Sequence, residues 1–83
     1  MKKIIVTVPF EEGLHARPAS ELTKVCQHFE SDFKMMKEDV SIDPKSILGI
    51  LALGAAQQDE LIIEISGSDE EAALEAIKEF FEN

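Results

Sequence analysis

The stretch Gly13-Leu14-His15-Ala16-Arg17-Pro18-Ala19-Ser20 gathers residue types that together suit phosphoryl chemistry. His15 supplies an imidazole, which in its neutral form is a nucleophile near pH 7. Arg17 follows two positions later, and a guanidinium fork matches the oxygens of a phosphate. Pro18 suits the first turn of a helix, where a missing N–H costs little and the fixed φ is already helical. Gly13 frees the backbone just before the histidine. A helix starting here leaves its first N–H groups without intrahelical partners. Those groups and the helix dipole favour an anion. A phosphoryl group on the imidazole would bring the charge that this helix end prefers. On the residues alone, the segment reads as a transient phosphoryl site. The competing reading is a capping or surface histidine beside an incidental arginine, and at this point both stay open.

Other reactive residue types are few. Cys26 is the single cysteine, so no internal disulfide forms. No Cys/His cluster has zinc-ligand spacing, and neither a metal nor a cofactor is expected. Cys26 falls on the apolar face of a predicted helix and reads as core rather than redox-active. His28 reads as a surface residue near that helix's C-terminus, where a cation is tolerated. Ser46 precedes an apolar run, the place of an N-cap. A phosphoserine there would add charge at a favourable helix end and repel an acidic partner, and the two roles can coexist. Glu11 and Glu12 stand just before the reactive segment, where a carboxylate either repels phosphate or points to solvent.

The elements that must position these groups follow from periodicity. Ile4, Val6 and Val8 alternate with Lys3, Ile5 and Thr7, which is strand spacing ended by Pro9. Ala19, Leu22, Cys26 and Phe29 recur at steps of three and four, which predicts a helix from Ala16 to about Phe29. Phe33 and Met35 mark a second strand, with Met35 and Met36 read as strand packing. Val40 and Ile42 mark a third strand beyond a Glu38-Asp39 turn. Asp43-Pro44 ends it. Ser46 to Leu53 reads as a short helix closed by Gly54, with a strand as the competing assignment. Leu61, Ile63 and Ile65 make a fourth strand. Ser68 and Glu71 read as a capping box for a last helix carrying Ala73, Leu74, Ile77, Phe80 and Phe81 on one stripe. The order βαββαβα predicts an α+β fold, one sheet with helices on one face. Strand order does not follow from these residues. In the short helix, Ile50 and Leu53 fill the core. Ile47, Leu48 and Leu51 cannot all join them at helical spacing, so some form an exposed apolar patch suited to docking.

Composition sets the outer bounds. Eighty-three residues make one small domain, taken as 1–83. Seventeen acids against eight bases give a net charge of −9, which argues against a nucleic-acid binder. From Asp59 to Asn83 nine acids face one base, Lys78, which reads as a solvated acidic helix. The less acidic N-terminal third is where an anion can approach. No apolar run approaches the ~20 residues of a membrane span. The apolar stretch after Lys2 and Lys3 is short and β-branched, with no small-residue cleavage site. These features predict a soluble protein from a reducing compartment.

Gly13-Leu14-His15-Ala16-Arg17-Pro18-Ala19 closely resembles the active-site motif of the HPr family. These are the histidine-containing phosphocarriers of the bacterial phosphoenolpyruvate-dependent sugar phosphotransferase system. A second segment, Lys45-Ser46-Ile47-Leu48-Gly49-Ile50-Leu51, looks like the family's regulatory-serine site. Length and element order extend the resemblance to essentially the whole chain. The resemblance implies an open-faced β-sandwich, a four-stranded antiparallel sheet with three helices on one face. It implies a carrier rather than a free-standing enzyme, with the barrier lowered mainly in partner active sites. His15 would accept the phosphoryl group from phospho-enzyme I and pass it to enzyme IIA proteins or domains. Ala16, Arg17 and Pro18 would hold the phosphate. Ser46 would be the serine modified by an HPr kinase/phosphorylase, with a transcriptional regulator as a further partner. Lys24, Lys45, Ile47, Leu48 and Leu51 would serve partner docking. The implied setting is a cytoplasmic monomer without membrane insertion. The alternative is a regulatory module, including one of the nitrogen-related branch, acting mainly through Ser46. The chain departs from the family's usual small or polar residues at Glu11 and Glu12, and from its frequent Asn-Gly turn at Glu38-Asp39.

Overall fold

Strands β1 (Lys2–Thr7), β2 (Asp32–Lys37), β3 (Val40–Ile42) and β4 (Glu60–Ser66) form one sheet in the order β1-β4-β2-β3. Every neighbouring pair is antiparallel. The structure, a computed structural model, describes residues 1–82. Helices α1 (Ala16–Gln27), α2 (Ile47–Leu53) and α3 (Glu70–Glu82) complete the order βαββαβα.

Register explains why one face is buried. Ile4 lies opposite Ile63, Val6 opposite Leu61, Phe33 opposite Ile65 and Met35 opposite Ile63. With side chains alternating at period two, these residues share the face that the helices cover. The next residue of each strand lands on the other side. Ile5, Ile62 and Met36 therefore line up across the open face, as do Lys3, Glu64 and Lys34. Met35 is fully buried, whereas Met36 stands on the open face. The methionines thus divide between the two faces, because adjacent strand residues point opposite ways.

Helix α1 packs against α2 and α3, while α3 lies over β1 and β4. Ala19, Leu22 and Cys26 of α1 are completely buried, as the three-four spacing predicts. Each fully buried leucine or isoleucine contributes about 1.5–3 kcal/mol. Burial pushes the Cys26 thiol up to about 12, which fits a core residue. Thr23 is buried as well, and its hydroxyl donates to the Pro44 carbonyl at 3.1 Å, tying α1 to the segment before α2. Ala73, Ile77 and Phe81 supply the α3 stripe, with Leu74 and Phe80 half-buried. Helix α1 ends at Gln27, two residues earlier than its spacing suggests, with His28 as C-cap.

The start of α3 differs from the sequence reading. The carboxylate reaching back is that of Glu70, which accepts the Gly67 N–H at 3.0 Å, and the Asp69 carbonyl accepts the Ala73 N–H. The Ser68–Glu71 pairing does not form. The helix begins after Asp69, whose carboxylate is engaged elsewhere. It accepts the backbone N–H of Glu30 at 2.9 Å, that of Ser31 at 3.0 Å, and the Ser31 hydroxyl. These bonds clamp the α1–β2 loop to the head of α3. They hold the Asp69 carboxyl below its ordinary 3.8, chiefly through the Ser31 hydroxyl and then the Glu30 N–H.

A carboxyl depressed in the folded state contributes stability that is present above its unfolded value and lost as pH falls through the folded one. Asp69→Asn is therefore expected to melt at a lower temperature at about pH 7 and to lose less on going below about pH 4 than the wild type. Thermal melts across that range check it. Parallel acid slopes for the two proteins would count against the clamp.

Candidate functional site

The reactive segment sits on a loop held at both ends. The Val8 N–H donates to Asp59 and the Val8 carbonyl accepts the Gln58 N–H, each at 2.9 Å. Gly13 N–H closes a turn onto the Phe10 carbonyl at 2.9 Å. Gly13 has φ +80°, and a Cβ there would lie 2.5 Å from the Ala55 carbonyl oxygen. That oxygen accepts the Leu14 N–H at 2.9 Å, and the Leu14 side chain is buried. The loop is thus pinned to the chain leaving α2 immediately before His15.

His15 is the N-cap of α1, with extended backbone, and its side chain makes no capping hydrogen bond. The imidazole is 64% exposed. The His15 carbonyl accepts the Ala19 N–H at 2.8 Å, and Pro18 has no N–H. That leaves the N–H groups of Ala16 and Arg17 at the mouth of the helix for an incoming anion. Arg17 and Pro18 line an open cleft of about 380 Å³ with His15, Phe10, Glu11, Glu12 and Glu21. An adjoining groove of about 410 Å³ shares Phe10 and Glu21 and is otherwise lined by Val25, Ala76, Glu79 and Phe80, with no histidine. The chemistry therefore belongs to the cleft around His15. Glu12 Oε1 stands 4.0 Å from His15 Nδ1, so of the two open possibilities for this residue it faces the imidazole. Arg17 forms no ion pair among the described residues, and its guanidinium is available.

The second motif places Ser46 as the N-cap of α2, its Oγ accepting the Gly49 N–H at 3.3 Å. The capping role read from sequence is therefore present, and the serine is exposed. Ser46→Ala is expected to cost about 0.5–1 kcal/mol, at the weak end for an N-cap because the bond is long. Urea unfolding of the two proteins measures this, and Ser46→Asp should restore most of the loss, since aspartate caps equally well.

Ile50 and Leu53 of α2 are buried, Ile47 is half-buried, and Leu48 and Leu51 are 75% and 41% exposed. Helix α2 ends at Gly54, in the left-handed conformation, and the next residue holds Leu14. The exposed leucines are thus carried by the helix whose end anchors the His15 loop. Lys24 is exposed in the last turn of α1. Lys45 turns inward: its ammonium donates to the Phe29 carbonyl at 3.0 Å and lies 5.7 Å from the centre of the Phe33 ring. Its carbonyl accepts the Gln27 side-chain amide at 2.9 Å. Sequence reasoning missed Ala55, Thr23 and Gln27 as positioning residues. Ala55 acts through its backbone carbonyl, which leaves no side-chain signal.

A family model described as the PTS HPr component phosphorylation site matches residues 2–83. The phosphocarrier protein HPr of Mycoplasma pneumoniae is 42% identical over 83 residues, spanning 99% of this chain and 94% of that protein. The crystal structure of HPr-C-His from Thermoanaerobacter tengcongensis superposes with a TM-score of 0.95 at 33% identity, over 99% of this chain and 92% of that one. Crh, the catabolite repression containing protein of Bacillus subtilis, superposes with a TM-score of 0.78 at 30% identity, over 99% and 94%. That protein's crystal structure is a domain-swapping dimer.

Proposed function

This chain belongs to the HPr family of phosphotransferase-system phosphocarriers, and on that premise we propose that His15 carries a phosphoryl group from enzyme I to enzyme IIA in sugar uptake. The observation that carries the reading is His15 itself. It is an exposed imidazole at a helix N-terminus, without a capping bond, beside two free backbone N–H groups and an unpaired guanidinium.

The step balances without any co-reactant. A ring nitrogen of neutral His15 donates its lone pair to the phosphorus of the phosphohistidine on enzyme I. The new N–P bond forms as the donor's N–P bond breaks, and that electron pair returns to the donor imidazole. His15 keeps its N–H on the other ring nitrogen, and the transfer to enzyme IIA repeats the exchange. The Ala16 and Arg17 N–H groups and the Arg17 guanidinium hold the charged oxygens, and the α1 dipole adds about 0.3–1 kcal/mol. The cleft is open, so exclusion of water falls to the partner that closes over it. The exposed Leu48 and Leu51 offer an apolar docking surface, and the exposed Lys24 on α1 adds a basic contribution. Lys45 takes part by holding α2 in place. We place the protein in the cytoplasm as a monomer, the form suited to shuttling between partners.

Phosphoenolpyruvate, enzyme I from the same cell and this protein, followed by intact-mass spectrometry, test the reading. An acid-labile phosphoryl adduct on His15 is expected. A folded sample that stays unlabelled refutes the carrier role.

Exposure of Ser46 at the head of α2 favours a second, regulatory reading. An HPr kinase/phosphorylase would place an acid-stable phosphate on Ser46, where it repels an acidic partner or recruits a transcriptional regulator. Incubation with ATP and that kinase separates the two, since phosphoserine survives acid and phosphohistidine does not.

A further inference from the structure

We propose that Glu12 raises the phosphoryl-donor strength of His15, an inference that rests on the carrier reading. The turn closed by Gly13 N–H on the Phe10 carbonyl fixes Glu11 and Glu12 at its tip. From there Glu12 Oε1 reaches to 4.0 Å from His15 Nδ1. Glu11 and Glu21 line the same cleft, so three carboxylates share it with the imidazole, and Arg17 is its one cationic lining residue.

The charge of Glu12 acts on the loaded carrier. There the carboxylate stands close to a phosphoryl group carrying about two negative charges, and repels it. Whichever ring nitrogen carries the group, its oxygens lie within the ~10 Å over which charges interact at moderate salt. That repulsion pushes the group off His15. Arg17, the Ala16 and Arg17 N–H groups and the α1 dipole pull the other way, so the site holds the phosphoryl group without trapping it. Both Glu12 and His15 are largely exposed, which makes the effect moderate and sensitive to salt.

The test fixes the ratio of phosphoenolpyruvate to pyruvate over enzyme I from the same cell and reads the loaded fraction by intact-mass spectrometry. Glu12→Gln keeps the size and removes the charge. At about 20 mM salt it is expected to shift the equilibrium toward the loaded carrier about three- to tenfold. At about 500 mM salt most of that shift should vanish. Glu12→Asp, which keeps the charge, should stay closer to the wild type. Equal loaded fractions for wild type and Glu12→Gln at low salt overturn the proposal while leaving the carrier role intact. A shift that ignores salt overturns it too, because it would not be electrostatic. A wild-type protein that never becomes labelled removes both this proposal and the carrier reading.

Discussion

A His15→Ala protein is expected to take up no phosphoryl group from phospho-enzyme I and to melt within a few degrees of the wild type. Both halves of this expectation follow from the geometry. The imidazole is exposed and makes no capping bond, so folding loses little when it goes, within about 0.5 kcal/mol as for other surface changes. Nothing else in the cleft can replace it. The remaining side chains there are carboxylates, a guanidinium, a proline and a phenylalanine. Carboxylates that already repel the incoming group are poor acceptors for it. Arg17→Ala should behave differently. It keeps the nucleophile and loses a charge-assisted contact worth about 1.5–3 kcal/mol, so transfer slows roughly 10- to 100-fold without stopping. Labelling kinetics with enzyme I, read beside thermal melts, distinguish the two. Phosphoryl passage through His15→Ala to enzyme IIA would sink the assignment.

Gly13→Ala is the second large effect, and it begins with stability. The new methyl would stand 2.5 Å from the Ala55 carbonyl oxygen, a backbone atom that cannot swing aside as a side chain does. At φ +80° an L-residue also carries a left-handed penalty of about 1–2 kcal/mol. Relieving the clash displaces the loop or the chain after α2, and the Leu14–Ala55 hydrogen bond, worth about 1 kcal/mol, weakens with it. Together with crowding of about 1–3 kcal/mol, the total is about 3–6 kcal/mol. For a domain of this size that lowers the melting temperature by more than about 10 °C. The molecules that remain folded in the cold should also be poor carriers. His15 rides on the displaced segment, and an error of about 1 Å in its placement costs on the order of a hundredfold in rate. Calorimetry and labelling measured at about 5 °C separate the two consequences. A variant as stable as the wild type would mean that the loop yields freely and does not fix the histidine.

What could be read in advance was local. Alternation placed the four strands, and steps of three and four placed Ala19, Leu22 and Cys26 of α1 and Ala73, Ile77 and Phe81 of α3 inside. Those signals survive because side-chain direction along a strand or helix depends only on its own period. Gly13, His15, Arg17 and Pro18 were likewise legible, since a helix start makes its demands within a few adjacent residues. The surplus of apolar residues in α2 announced that some would remain outside, and Leu48 and Leu51 do.

Strand order was not legible, because β1 meets β4 across more than fifty residues and no local feature names the partner. The clamp that ties Asp69 to Glu30 and Ser31 was not legible either, since those contacts are made across nearly forty residues. Lys45, to which the resemblance gives a part in partner docking, turned inward when the fold brought the Phe29 carbonyl and the Phe33 ring within its reach. Glu12 had two open fates in the sequence, and the turn onto Phe10 chose the one facing His15. The sequence by itself determined the exposed histidine, the helix start that presents it and the faces each element buries, since these depend on neighbours in the chain. Only the tertiary structure decided that the Ala55 carbonyl would lock Gly13 and that Glu21 would join Glu11 and Glu12 in lining the cleft of one imidazole. Those contacts join residues whose proximity exists only after the chain has folded.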